Sequence, residues 1–269
     1  MKLSFSTLGC HEWEIDQIIE AARTNGYDGV ELRHYNNSLD LPKVISEFPG
    51  GASNFRRQFA RAGIEICCVD TSVVLSESGS SVTDGEQMMD LALALGAPYV
   101  RVFGGDVQDG ETSEDCLKRA ADKLGRLGKR AAKRGIRVLI ETHDAFSSGA
   151  QVSQLLDAVG EEGVGALWDL HHPYRMGESP AETARLVGSR TYHAHIKDSK
   201  RDAGYTLLGE GDVPLPELVR ELHTAGYNGY LSLEWERAWY PELPDATVAF
   251  PQAARYLAEL LADLGVPRG

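Results

Sequence analysis

Acidic residues and histidines end four consecutive apolar runs of this sequence. The endings are Glu141-Thr142-His143, Asp169-Leu170-His171-His172, His193-Ala194-His195-Ile196-Lys197 and Glu234-Trp235-Glu236. Carboxylates that gather at one place repel one another unless they are protonated or bridged by a cation. Oxygen ligands with one imidazole suit Mn²⁺, Mg²⁺, Co²⁺ or Zn²⁺. The pattern predicts one divalent metal ion with four ligands: Glu141, Asp169, His195 and Glu234.

Other interpretations of these endings stay open. Glu236 is two residues after Glu234, so it would point to the same face of the strand and is an alternative ligand. Lys197 either holds an anionic group or pairs with Asp169 or Glu234. For any one strand end, the simpler interpretation is a hydrogen bond to a loop, but four such ends favour a metal site.

Several further side chains have two interpretations each. Glu31, Asp70 and Arg101 would face hydroxyl groups of a ligand or form a buried salt-bridge network. Aromatic residues in predicted loops would stack on a ligand ring or cover the core. These are Trp13, Trp235, Trp239 and Tyr240. His143 and His193 are expected to support ligands or to fill the core.

A glycine followed by a short, largely apolar run recurs along the chain. It occurs at Gly26, Gly63, Gly96, Gly135, Gly163 and Gly226. Glycine accepts the left-handed conformation that ends a helix, and such runs are typical of strands buried on both faces. With the runs Leu3–Thr7 and Thr191–Lys197, this predicts eight strands starting near residues 2, 29, 65, 99, 137, 165, 191 and 229. The spacing leaves room for one helix between each pair of parallel strands.

Eight such units predict an α/β protein with one domain over residues 1–269, a closed (β/α)₈ TIM barrel. The joints Gly26-Tyr27-Asp28-Gly29 and Gly226-Tyr227-Asn228-Gly229 are near copies, as neighbouring strands that close a ring would be. A doubly wound sheet is the alternative, but the turn Thr7-Leu8-Gly9-Cys10 lacks a GxGxxG motif. Reactive groups of a barrel lie where strands end. The polar stretches Ser76–Gly85 and Gly104–Glu114 are predicted loops over that face.

Charge and cysteine content limit the partners. The 27 basic and 40 acidic residues give a net charge of -13, which opposes binding to nucleic acid or to anionic membranes. The four cysteines form no CxxC motif, so reduced thiols are expected. No apolar run approaches the roughly 18 residues that cross a bilayer, and we predict a cytoplasmic protein with no membrane partner.

The motifs resemble those of a known family. The segments Leu3–Thr7, Gly26–Arg33 and Gly209–Gly211, with the four strand endings, are similar to the xylose isomerase-like TIM-barrel superfamily, and more narrowly to its sugar phosphate isomerase/epimerase group. The resemblance implies the same four metal ligands. In the ketose 3-epimerase branch, residues matching His172 and Arg201 hold substrate oxygens. Ser147 stands where that branch has a glutamate, so the match to the branch is incomplete.

These observations lead to a functional hypothesis. The protein is expected to be an isomerase or epimerase of a keto-sugar or polyol ketone, in which the metal stabilises an enediolate while Glu141 and Glu234 exchange protons with the substrate. A dehydratase acting on an inosose-like or 3-keto sugar is the alternative. A metal-free binding protein and an abasic-site endonuclease are less favoured. The expected partner is a small sugar, and a homodimer is one expected oligomeric state.

Overall fold

The predicted apolar runs form eight parallel strands that close into a barrel in the computed structural model, which describes residues 1–77 and 82–269. Each strand begins within one residue of the predicted start. The barrel strands are β1 (Lys2–Ser6), β2 (Gly29–Leu32), β3 (Glu65–Val74), β4 (Tyr99–Phe103), β5 (Arg137–Glu141), β6 (Val164–Asp169), β7 (Thr191–Ile196) and β10 (Tyr230–Leu233), and a separate hairpin is made by β8 (Asp198–Lys200) and β9 (Gly204–Thr206). The predicted TIM barrel is confirmed.

The first strand closes the ring. β1 pairs with β10 on one side and with β2 on the other. The two near-identical joints therefore lead into the two neighbours of β1 rather than into adjacent strands. Both joints bond to β1, since the backbone N–H of Lys2 donates to the Gly229 carbonyl at 3.0 Å and that of Leu3 donates to Asp28 Oδ2 at 2.8 Å.

Helices surround the barrel and connect its strands. They are α1 (Ile15–Asn25), α2 (Leu41–Glu47), α3 (Gly51–Arg61), α4 (Val82–Leu95), α5 (Ser113–Arg134), α6 (Gly149–Val159), α7 (His171–Arg175), α8 (Pro180–Val187), α9 (Leu215–Thr224) and α10 (Ala246–Asp263). Two connections contain two helices instead of the predicted one. After α2, Pro49 disfavours helix at the preceding residue and Gly50 adopts a φ of 81°, so the chain restarts as α3.

One predicted helix end lies elsewhere. We expected Gly163 to end the helix before β6, but α6 ends at Gly160, which has a left-handed φ of 61°. Gly163 serves close packing instead, because a Cβ there would lie 2.0 Å from the Gly128 carbonyl oxygen of α5. Sequence alone does not separate these two uses of glycine.

The predicted loops lie at the ends of β3 and β4. Residues of the Gly104–Glu114 stretch run irregularly from the end of β4 into α5. Of the Ser76–Gly85 stretch, residues 78–81 lie outside the described residues, and α4 begins at Val82. Within the described ranges, none of the helices combines the length and the apolar character needed to span a bilayer.

Candidate metal centre

The four predicted ligands meet at the carboxyl ends of four adjacent barrel strands. Glu141 ends β5, Asp169 ends β6, His195 lies in β7, and Glu234 follows β10 by one residue. All four side chains are buried. Each offers one ligand atom, and these atoms lie within 4.8 Å of one another. The structure therefore brings together the residues that the sequence analysis selected.

The imidazole of His195 is held between carboxylates on both of its edges. Its Nδ1 atom lies 3.2 Å from Glu141 Oε1 and 3.4 Å from Glu234 Oε1. Its Nε2 atom lies 2.8 Å from Glu31 Oε1, and the other oxygen of Glu31 contacts His193 Nε2. A carboxylate that accepts from one imidazole nitrogen leaves the other nitrogen oriented toward a metal. Glu31 thus directs Nδ1 of His195 toward the predicted ligand set.

Two buried cations pair with the acids. Lys197 Nζ lies 2.8 Å from Asp169 Oδ2 and 2.9 Å from Glu236 Oε1, and it also contacts Glu234. Lys197 thus makes the pairs that one of its two interpretations expected.

Arg101 joins the acids on the other side of the barrel interior. Its Nε lies 3.2 Å from Glu141 Oε2, and its Nη2 lies 3.2 Å from Asp70 Oδ2. Glu31, Asp70 and Arg101 therefore form the buried network that was one of their two interpretations.

Carboxyl groups are crowded around the centre. Six carboxyl side chains belong to this network, namely Glu31, Asp70, Glu141, Asp169, Glu234 and Glu236. Besides the imidazole of His195, three cationic side chains face them, namely Arg33, Arg101 and Lys197, and burial raises the pKa of Asp70 well above its usual value. The buried oxygens Glu141 Oε2 and Asp169 Oδ2 have ion-pair contacts but no hydrogen bond among the described residues. Three carboxylates and an imidazole with unsatisfied oxygens fit a divalent cation.

The electrostatic environment sets the charge of each ligand. Burial alone would raise the pKa of Asp169, but the charges of Lys197 and His172 outweigh it and lower the pKa to about 2. Burial would lower the pKa of His195, but Glu31 and Glu234 outweigh it and raise that pKa well above its usual value. Asp169 is therefore an anion and His195 a cation when no metal is bound. A metal would take the place of the His195 proton.

The predicted substrate-binding residues take different positions. His172 lies beside the centre, with its Nε2 atom 3.6 Å from Asp169 Oδ2. Arg201 is exposed in the turn of the β8–β9 hairpin, where its backbone N–H donates to Asp212 Oδ2 at 3.0 Å. Among the described residues, no hydrogen bond or ion pair joins Arg201 to any of the four ligands.

A cavity of about 330 Å³ opens above the centre at the barrel mouth. Its lining is Leu8, Arg33, Arg101, Phe103, His143, Tyr205, Glu234, Glu236, Trp239 and Tyr240. Trp239 and Tyr240 thus lie where a ligand ring would stack. Trp235 covers the core instead, since it is buried and its Nε1 donates to the Pro244 carbonyl at 2.9 Å. Trp13 packs against Phe250, with ring centroids 5.7 Å apart.

Among the cavity residues that the sequence analysis did not select are two polar ones, Arg33 and Tyr205. Arg33 directly follows β2, so the strand-end argument used for the last four strands would have found it. Tyr205 lies in β9, part of a hairpin that the analysis did not predict. The β9 strand has three residues, too few to show the alternation of apolar and polar side chains that identifies a strand.

Comparison with known proteins agrees with this geometry. A family model described as "Xylose isomerase-like TIM barrel" matches residues 19–260. The chain belongs to this family. An inosose isomerase of Halalkalibacterium halodurans is 22% identical over 241 residues, covering 84% of each chain. An inosose dehydratase of Bacillus cereus is 25% identical over 185 residues, covering 61% of this chain and 57% of that one.

A solved structure shows the same architecture. The IOLI protein, determined with a bound zinc atom, superposes with a TM-score of 0.80 at 19% identity, and the match covers 98% of both chains. At this identity the likeness shows the fold, and the chemistry of the site depends on the residues described above.

Proposed function

We propose that this protein is a divalent-metal-dependent isomerase or epimerase that moves a proton on a carbon next to the carbonyl of a keto-sugar or cyclic polyol ketone. The observation that carries the proposal is the convergence of three carboxylates and one imidazole within 4.8 Å under the mouth cavity. The relative named inosose isomerase and the zinc-containing IOLI structure support it.

A bound cation would supply a Lewis acid that polarises the substrate carbonyl and stabilises the negative charge formed when the neighbouring proton leaves. Glu141 and Glu234 are the bases we assign to the proton transfer. An oxygen of each glutamate lies close to Nδ1 of His195. Each glutamate also has its own cation, because Arg101 pairs with Glu141 and Lys197 pairs with Glu234. These cations fix the two carboxylates and keep them ionised, which a base requires.

The side chains around the cavity would hold the substrate. Tyr205 and Tyr240 contact each other at a centroid distance of 5.3 Å and form one wall. His143 lies on another wall, where Asp144 Oδ1 is 2.6 Å from its Nδ1 atom. Aromatic walls with a few polar groups suit a ring that carries hydroxyls.

A dehydratase is the second candidate, and Glu236 favours it. Burial raises the pKa of Glu236 above its usual value, and the charge of Lys197 offsets this only in part. A carboxyl group that holds its proton more tightly than usual beside Glu234 is suited to protonating a leaving hydroxyl. The relative named inosose dehydratase supports this candidate. The two candidate reactions begin with the same proton abstraction. They differ only in the step that follows it.

Proton exchange in D₂O tests the proposal. The Mn²⁺-loaded protein is incubated with a panel of ketoses, inososes and 3-keto sugars, and NMR detects deuterium next to the carbonyl. We expect exchange in at least one substrate, with a loss of roughly 1000-fold after treatment with EDTA, because metal stabilisation is worth several kcal/mol. An isomerised or epimerised product supports the first candidate, and loss of water the second. Exchange that is unchanged by EDTA would contradict a metal-dependent mechanism.

A further inference from the structure

Arg33 is a buried cation without an ion-pair partner in the cavity lining. It directly follows β2 and is 6% exposed. Its Nη1 atom donates to Ser72 Oγ at 2.9 Å. Across residues 1–77 and 82–269, no ion pair includes its guanidinium. A charge that is removed from water without a partner costs free energy, which a ligand of opposite charge would recover.

The other two cations of the site are paired, which makes Arg33 distinct. Arg101 contacts Asp70 and Glu141, and Lys197 contacts Asp169, Glu234 and Glu236. Carboxyl groups of the protein itself thus balance the charges of Arg101 and Lys197. The charge of Arg33 remains available to a ligand in the cavity.

The surroundings of Arg33 also favour an anion. Its guanidinium carbon lies 5.8 Å from the ring centre of Phe103, and that of Arg101 lies 3.9 Å from the same ring. Burial lowers the pKa of Arg33 to about 10, and the like charge of Arg101 acts in the same direction, while the charges of Asp70, Glu141 and Glu234 oppose the shift without cancelling it. An anionic group beside Arg33 would offset both effects.

We propose that Arg33 binds a carboxylate on the substrate. The substrate class is then a polyhydroxylated keto acid with a single small ring. This assignment rests on the proposed function, since it takes the mouth cavity as the substrate site. Arg33 and Glu234 line the same cavity of about 330 Å³, so one small ring would reach both the guanidinium and the metal centre. A planar guanidinium matches a carboxylate in a two-point contact.

A carboxylate fits this position better than a phosphate ester. Glu234 lines the same small cavity, and its charge would repel a nearby anion. For a doubly charged phosphate this repulsion and the attraction to Arg33 both double, but the cost of removing the ion from water rises with the square of its charge. One arginine balances a single negative charge.

Equilibrium binding measured by calorimetry tests the assignment. The probes are quinate, which is a hydroxylated ring with a carboxylate, neutral myo-inositol, and myo-inositol 1-phosphate. The proteins are the wild type, Arg33→Gln, Arg33→Lys and Arg61→Gln, each with Mg²⁺. Arg61 is exposed at the end of α3, so its variant makes the same charge change far from the cavity.

We expect the wild type to bind quinate at least about tenfold more tightly than myo-inositol, as charge-assisted hydrogen bonds allow. Arg33→Gln should lose this preference, Arg33→Lys should keep part of it, and Arg61→Gln should keep all of it. Arg33→Gln also loses the hydrogen bond to Ser72, so the thermal midpoint of each variant is recorded without ligand to verify that it is folded before titration.

Three results would overturn the assignment. They are equal affinity of the wild type for quinate and myo-inositol, equal weakening of both probes by Arg33→Gln, and tighter binding of the phosphate ester than of quinate. The first and third use only the wild type and stand even if the variants fail to fold. Binding is measured without turnover, so a failure of the proposed function would appear as absent proton exchange and leave the quinate preference intact.

Discussion

Replacing Glu141 by glutamine is expected to lower the rate of substrate proton exchange by roughly 10³-fold or more. Glutamine keeps the shape of the side chain but removes its charge and its ability to accept a proton. Glu141 combines both roles in our proposal, as a ligand beside His195 and as a base held by Arg101. Glu234→Gln should have a similar effect. Exchange is measured by NMR in D₂O, as for the wild type.

Two controls separate the roles of these glutamates. Glu114→Gln changes an exposed residue of α5 that pairs with Lys118, and it should leave exchange unchanged. Raising the Mn²⁺ concentration would restore a variant that had lost only metal affinity, but it would not restore one that had lost its base. Undiminished exchange in both Glu141→Gln and Glu234→Gln would remove these residues from proton transfer.

Replacing Lys197 by methionine should destabilise the metal-free protein strongly and the metal-loaded protein much less. The buried ammonium contacts Asp169, Glu234 and Glu236, so its loss leaves three buried carboxylates without their shared cation. Breaking such a buried pair typically costs about 3–5 kcal/mol. A divalent ion bound to Asp169 and Glu234 would neutralise two of the three, and about 1 kcal/mol of loss should remain.

Urea unfolding with EDTA or with Mn²⁺ measures this difference. Lys118→Met is the matched control, because it breaks an exposed pair with Glu114 on α5 and should cost less than about 1 kcal/mol under both conditions. Equal destabilisation of Lys197→Met with and without the metal would show that the ion does not share these carboxylates.

The strands and the convergence of the four candidate ligands could be predicted because they depend on local signals. A strand buried on both faces appears as a continuous apolar run, and the glycine before it marks the end of a helix. Glu141, Asp169 and Glu234 stand where such runs stop, and a parallel barrel brings those ends to one face. The convergence of these residues follows from the topology.

Other features depend on tertiary contacts that the sequence does not encode locally. The sequence analysis offered Asp169 or Glu234 as a partner of Lys197. The folded barrel places its ammonium group against Asp169, Glu234 and Glu236 at once. Arg201 was selected because the resemblance to the ketose 3-epimerase branch implies a substrate-binding arginine there, but in the structure it lies exposed in the turn of the β8–β9 hairpin.

Arg33 has no ion pair with any residue of 1–77 and 82–269, and this became visible only in three dimensions. Its position after β2 is readable in the sequence, but its partner Ser72 lies on β3, and the acids of the site pair with Arg101 and Lys197. The absence of a local acid next to an arginine does not show that the residue is unpaired in the fold.

Anomalous diffraction from crystals soaked in Mn²⁺ tests the central claim most directly. The account predicts one strong peak bounded by Glu141, Asp169, His195 and Glu234, with Nδ1 of His195 toward the ion and Glu31 on its Nε2 atom. A strong peak elsewhere in the barrel, or no peak at saturating Mn²⁺, would contradict it.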